Sequence, residues 1–294
     1  MNSIIKLNEV QIEEVRKLVS EQRRLLGFVE TPIANDIFNI LDNLGIIVLE
    51  YPIKSVSSRP AFSAALIYIK DNSKELVFIG LNTDDYFDKQ IFALAHELYH
   101  YYVKTGSHLS RLDDEENNII EIAANRFAAE FLLPEETLKR IIITDFKSSS
   151  LKSLNLNTLL RFITRLHCTW WLPYRSLVRR LKEIDAISTE QYNGLYLINE
   201  RDLDGEYGRL GKAINEEIFI KLNRRTNNLG TSPKVIETII RNFEDNLINV
   251  DQFIKLLKEF NKSPEDFGYN FKISDDDINE FNDFFNKEED VNES

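Results

Sequence analysis

His96-Glu97-Leu98-Tyr99-His100 sets two imidazoles one helical turn apart, so that on a helix both rings leave the same face and can reach one divalent ion. Glu97 stands about 100° around the helix from His96. It would sit beside such an ion, where a carboxylate can take a proton from water activated there. The chemistry this trio can do is hydrolysis at a zinc ion, with His96 and His100 as ligands and Glu97 as general base. A chance match competes with that reading, because five-residue patterns with three fixed positions recur. Context weighs against chance. Two of only four histidines fall at ligand spacing, inside a helical stretch whose apolar members are Ile91, Phe92, Leu94, Ala95, Leu98 and Val103.

A catalytic zinc needs a third protein ligand and one open position. Glu121, on the next helical stretch, is the natural candidate, and Asn125, four residues on, shares its face and can hydrogen-bond a ligand. Spacing alone makes Glu121 read equally well as a solvated helix carboxylate. Glu130, Glu115, Glu116 and His108 compete with it, and His108 ranks last because it follows Gly106 in a polar loop. Since imidazoles bind metal only when neutral, activity is expected to fall as pH drops through the histidine range. Tyr99, Tyr101, Tyr102 and Tyr174 are candidates for stabilising the oxyanion, although a buried core tyrosine is the commoner explanation for each.

These groups have to be held by a mixed set of elements. Leu7 to Leu26 has the period of an amphipathic helix, and a second helix is expected from Thr31-Pro32 to Gly45. The period then changes. Ile46 to Tyr51, Ala64 to Ile69 and Leu76 to Leu81 read as three strands of a small sheet, the last two a hairpin across Asp71-Asn72-Ser73. Asn82 to Asp85 offers capping side chains to a helix from Tyr86 to Val103, which Gly106 closes. Arg111 to Asn118 is an acidic connection, and the helix from Asn118 to Leu132 stops at Leu133-Pro134. Leu210 to Phe267 is helical in pattern, with starts at Ser232-Pro233 and Ser263-Pro264.

Composition bounds the rest. With 294 residues, 43% hydrophobic and 29% charged, the chain is globular in type and long enough for one large or two modest domains. The longest apolar runs are far too short for a membrane span, and Met1 to Leu7 lacks an apolar signal segment. No membrane role is expected, and the cytoplasm is the expected location. Cys168 is the one cysteine, so disulfides and cysteine-rich zinc sites are excluded. A formal net charge of −12 argues against broad nucleic-acid binding. One block differs. From Lys147 through Lys182 there is no acidic residue, and helical stretches Leu159 to Leu166 and Tyr174 to Ile184 flank the break at Trp170-Trp171-Leu172-Pro173, a layout compatible with a helix-turn-helix. Arg161, Arg165, Arg175, Arg179 and Arg180 are its candidate contacts to a partner or to nucleic acid. The alternative is a solvated face that balances the acidic remainder.

Residues 62 to 134 resemble the ImmA/IrrE family of zinc metallopeptidases. The likeness is carried by Ile79-Gly80-Leu81-Asn82, by Phe92-Ala93-Leu94-Ala95-His96-Glu97-Leu98-Tyr99-His100, and by the run Glu121-Ile122-Ala123-Ala124-Asn125-Arg126-Phe127-Ala128-Ala129-Glu130-Phe131-Leu132-Leu133-Pro134. In that family the glutamate of the third segment is the remaining zinc ligand, which by resemblance assigns Glu121. The chain departs from the family at Gln90-Ile91-Phe92-Ala93, where an arginine and a threonine are common, and at Tyr99, where a glycine is common. Neither departure removes a ligand, but a bulky Tyr99 beside the site bears on substrate access.

The resemblance implies an α+β, mainly helical fold: a zincin-like core with a small sheet packed on the His-Glu-x-x-His helix, then a helical, helix-turn-helix-like C-terminal region. The expected division is 1–145 for the N-terminal helices and metallopeptidase domain, 146–200 for the basic region, 201–273 for a helical region and 274–294 for an acidic, disordered tail. The implied function is a zinc-dependent metallo-endopeptidase that cleaves a repressor-type transcription factor in a stress, mobile-element or defence context. A second reading is a regulatory protein whose basic block contacts DNA or a protein partner and whose zinc is structural or latent. A third, a toxin–antitoxin or defence component, holds proteolysis back until a regulatory partner binds.

Overall fold

The computed structural model describes residues 6–54, 62–71, 74–104, 108–110 and 119–271. The chain packs as two compact units, Met1–Val235 and Ile236–Ser294. The acidic tail expected at 274–294 lies outside the described residues, as do Glu115 and Glu116 and the side chain of His108.

The first unit begins with helix α1 (Glu9–Leu25), opened by a reciprocal capping box between Asn8 and Gln11. A short 3-10 turn (Ala34–Asp36) leads into α2 (Ile37–Asn43). The helix expected from Thr31-Pro32 therefore starts later, and Gly45 ends it with a positive φ of 72°. Strands β1 (Ile46–Tyr51), β2 (Ala64–Asp71) and β3 (Lys74–Asn82) follow. The β2–β3 pair is antiparallel, as a hairpin requires, and β1 runs parallel to β3. Two strands absent from the sequence reading widen the sheet: β4 (His108–Ser110) on β2 and β5 (Gly230–Thr231) on β1, giving the order β4-β2-β3-β1-β5. Alternation sets its two faces. Ile46, Val48, Leu66, Val77, Ile79 and Leu81 are buried, while Ile67, Ile69 and Leu76 on the opposite face are exposed.

Helix α3 (Phe87–Val103) packs on β2, β3 and α4 (Ile119–Leu132). Ile91, Leu94, Ala95 and Leu98 of α3 and Ala124, Phe127, Ala128 and Phe131 of α4 are essentially inaccessible, so these helices form the centre of the core. Helix α1 packs on α4, and its buried Arg23 donates to Phe131 O and Thr31 O, which satisfies a carbonyl near the end of α4. The fold is α+β and mainly helical, with the small sheet against the helix that carries His96 and His100.

Helices α5 (Glu135–Phe146), α6 (Leu156–Trp170), α7 (Tyr174–Glu183), α8 (Thr189–Tyr196) and α9 (Glu206–Leu222) complete the unit. The break at Trp170-Pro173 is a turn in which Trp171 adopts a φ of 56° and its N–H reaches His167 O. Leu159, Ile163, Leu177, Leu181, Tyr207 and Phe219 join the same apolar cluster as α3 and α4. The segments separated on composition at 145 and 200 therefore share one core.

In the second unit, α10 (Pro233–Glu244), α11 (Val250–Lys258) and a 3-10 turn (Pro264–Phe267) enclose Phe253 and Leu257. Phe243 stacks on Phe253 at 4.3 Å between ring centroids, with Tyr269 and Phe271 edge-on to both. Among the described residues no helix is long and apolar enough to cross a membrane.

Candidate metal centre

The site rests on how firmly α3 is placed. Its first turn is clamped by Gln90, whose amide donates to Asp85 O at 2.8 Å, Thr226 Oγ1 at 3.0 Å and Thr83 O at 3.3 Å. Gln90, the first residue of the stretch Gln90-Ile91-Phe92-Ala93 that departs from the family pattern, thus ties the helix to the loop before it and to residue 226. Asp88, fully buried in the same turn, takes both its oxygens to Arg201 at 3.0 Å and one to His167 Nε2 at 3.2 Å. Burial would raise the Asp88 pKa, but His167 and Arg201 outweigh it and hold the carboxyl below its usual range. At the other end Lys104, with a φ of 53°, returns its N–H to His100 O.

Between these anchors His96 and His100 leave the same face, their ring centroids 5.1 Å apart. His96 Nε2 stands 3.2 Å from His100 Nε2 and 3.2 Å from Glu121 Oε2, and His100 Nε2 stands 3.4 Å from Glu121 Oε1. All three side chains are buried, and among the described residues they form the one group of three able to hold a metal. The donor set fits zinc in kind and in size. With bonds of about 2.0–2.1 Å, tetrahedral donors lie about 3.3–3.4 Å apart, and the observed separations bracket that range. On the far side of His96, Nδ1 faces Asn125 Oδ1 at 3.0 Å. A proton on Nδ1 donated to that oxygen leaves the Nε2 lone pair directed at the cluster.

Glu97 is fully buried and lines, with His96, a cleft of about 790 Å³. His100 and Glu121 do not line that cleft. Of the competing ligands, Glu130 is committed elsewhere: its Oε2 accepts from Arg180 at 2.5 Å and its Oε1 from the Glu135 N–H at 2.7 Å. Tyr174 donates its hydroxyl to Leu195 O at 2.8 Å and is buried in the core. Tyr99 is half-buried, edge-on to His100 at 5.7 Å; Tyr101 and Tyr102 meet edge-to-face at 5.6 Å, and Tyr102 also meets Phe127. None of the four lines the cleft.

The basic block is less bare than its composition suggests. Arg165 pairs with Asp145, Lys152 with Asp185 at 2.7 Å, Arg175 with Glu200 at 3.1 Å and Arg180 with Glu130, every counter-charge lying outside the acid-free stretch. Arg180 is 1% exposed, its charge taken up by Glu130 in the interior. Arg161 is exposed and, among the described residues, donates to Thr158 Oγ1 at 3.4 Å. Arg175, Arg179 and Arg180 line the same cleft as His96 and Glu97. The Asp88–His167–Arg201 cluster was not anticipated. Its only trace in the sequence is an acid and a histidine inside strongly apolar helices, where buried ionisable groups are found only when paired.

The sequence model of a peptidase family, described as the IrrE N-terminal-like domain, matches residues 45–159. That stretch includes β1 to β4, α3, α4 and α5, and so holds His96, Glu97, His100 and Glu121 together. No curated protein and no solved structure matches the chain.

Proposed function

From the match of residues 45–159 to the IrrE N-terminal-like peptidase domain, we propose that the chain is a zinc-dependent metallo-endopeptidase of the ImmA/IrrE family. The observation that carries the reading is the convergence of His96 Nε2, His100 Nε2 and the Glu121 carboxylate at 3.2–3.4 Å. These three side chains would hold the ion. Zinc bound there would polarise the scissile carbonyl and lower the pKa of the attacking water.

The remaining steps belong to the chain's own groups. Glu97, which lines the cleft beside His96, accepts the proton of the attacking water on a carboxylate oxygen and returns it to the nitrogen of the leaving amine. No covalent enzyme intermediate is required. Asn125 accepts the Nδ1 proton of His96 and so fixes the tautomer that presents Nε2. The apolar packing of α3 against α4 closes the site from behind and keeps water to the cleft side. The proposed substrate is a repressor-type transcription factor, cleaved in the cytoplasm as part of a regulatory response. Family resemblance supports that assignment.

The test separates metal from chemistry. Glu97→Gln should keep one zinc per chain and lose about 10²–10⁴-fold in cleavage rate, whereas His96→Ala and His100→Ala should lose the metal. Zinc content is read by elemental analysis, and cleavage by mass spectrometry of repressors encoded near the gene. Wild-type cleavage by Glu97→Gln, or full zinc in both histidine variants, would refute the assignment.

A further inference from the structure

The cleft lined by His96 and Glu97 has a wall whose charge runs against that of the chain. The protein carries a formal net charge of −12, yet the cleft is lined by Lys6, Lys89, Arg126, Arg175, Arg179 and Arg180, against Asp85, Glu97 and Glu183 as its carboxylates. Pairing removes part of this excess. Lys89 faces Asp85 at 3.5 Å, Arg126 faces Glu183 at 2.7 Å and Arg180 is held by Glu130 at 2.5 Å. Arg179 has no ion pair among the described residues and is exposed. Arg175, one turn before it on α7, spends its charge on Glu200 while remaining about half exposed, at 53%. Lys6 adds an exposed cation beside Leu7 and Ile12. The floor between them is apolar, with Phe92, Ile122 and Ala129 beside the reacting groups.

A groove of this size with an apolar floor suits a short extended segment of polypeptide, and the cations on its rim select what that segment carries. We propose that the cleft takes a peptide segment with a glutamate or aspartate close to the scissile bond, and that Arg179, assisted by Arg175, is the specificity-determining residue that receives the carboxylate. The inference rests on the peptidase reading for what happens at the scissile bond, but recognition of the segment can be measured without cleavage. It also gives Arg175 and Arg179 a role other than contact with DNA: they stand in the wall of the same cleft as the catalytic carboxylate.

The experiment uses the full-length, zinc-loaded Glu97→Gln protein and fluorescent dodecapeptides in which one glutamate, glutamine or lysine is walked along a common sequence. Binding is read by anisotropy. Glutamate at one or two positions should bind about twofold to fivefold more tightly than glutamine, the worth of one exposed ion pair, with lysine weakest through repulsion and the difference shrinking at high salt. Arg179→Glu should invert the order, and Arg179→Gln should level it; α7 exposes this side chain, and a thermal melt verifies that both variants fold. No binding of any peptide, equal binding of all three series, or an order unchanged in Arg179→Glu would overturn the proposal. So would a duplex DNA that displaces the preferred peptide at equal concentration. The same peptides given to the Glu97 protein keep the two readings apart. Preferential binding without hydrolysis would sink the peptidase and keep the acidic-segment site, while hydrolysis without preference would do the reverse.

Discussion

Glu135 offers the sharpest quantitative test of how the cleft wall is held. Its carboxylate receives Arg16 from α1, Arg126 from α4 at 2.9 Å, Lys139 from its own helix at 2.8 Å and Arg180 from α7 at 3.9 Å, with only 7% of the side chain exposed. Burial would raise its pKa, but the hydrogen bonds from Lys139 and Arg16 and the charges of Arg16 and Arg180 outweigh it and pull it from 4.5 to about 2. A folded value below the unfolded one contributes stability above the unfolded pKa, and that contribution is lost as pH falls from 4.5 toward 2. The shift corresponds to about 3 kcal/mol near neutral pH and about 2 kcal/mol near pH 3.5. Glu135→Gln keeps the shape and removes the charge, so it should cost about that much at neutrality, and less in acid, where the wild type gives up its own charge. Urea unfolding followed by tryptophan fluorescence reads this directly, because both tryptophans, Trp170 and Trp171, lie in the first unit. A loss below about 1 kcal/mol at pH 7, or a loss that does not shrink on acidification, would show that the network is solvated and contributes little.

Two further outcomes follow from contacts around α3. Asn125→Ala removes the acceptor on His96 Nδ1 and should weaken zinc binding about 10–100-fold in competition with a chromophoric chelator; unchanged affinity would mean that the 3.0 Å contact does not orient the ring. Asp88→Ala strands Arg201 and His167 in the core and should cost about 3–5 kcal/mol in urea unfolding at neutral pH. Because the Asp88 carboxyl is held below its usual range, that cost should diminish as pH falls past the ordinary carboxylate value, and a cost independent of pH would refute the pairing as its source.

What the sequence made legible is what depends on local periodicity. The stretches that became α3 and α4 announce themselves by apolar residues at helical spacing between clear stops, and the His96–His100 spacing becomes a geometric statement once the helix is granted. The faces of β1 to β3 follow from alternation in the same way. β4 and β5, of three and two residues, are too short to show a period and exist only because a neighbouring edge is there to pair with. Glu121 shows the limit from the other side: spacing alone left it open to competition from other carboxylates until the resemblance assigned it, and the structure adds that Glu130 points instead into the Arg180 network.

The acid-free block shows why counting charges along the chain misjudges a surface. Arg180 and Glu130 are 50 residues apart in sequence and in hydrogen-bond contact in space, so a stretch without acids is not thereby a stretch without counter-charge. Once Asp145, Asp185, Glu200 and Glu130 are placed against Arg165, Lys152, Arg175 and Arg180, the broad basic face expected of a duplex-binding element reduces to a few exposed cations. Phosphate recognition needs several such contacts acting together. A carboxylate on a bound peptide needs only one or two, and Arg175 and Arg179 line the same cleft as His96 and Glu97.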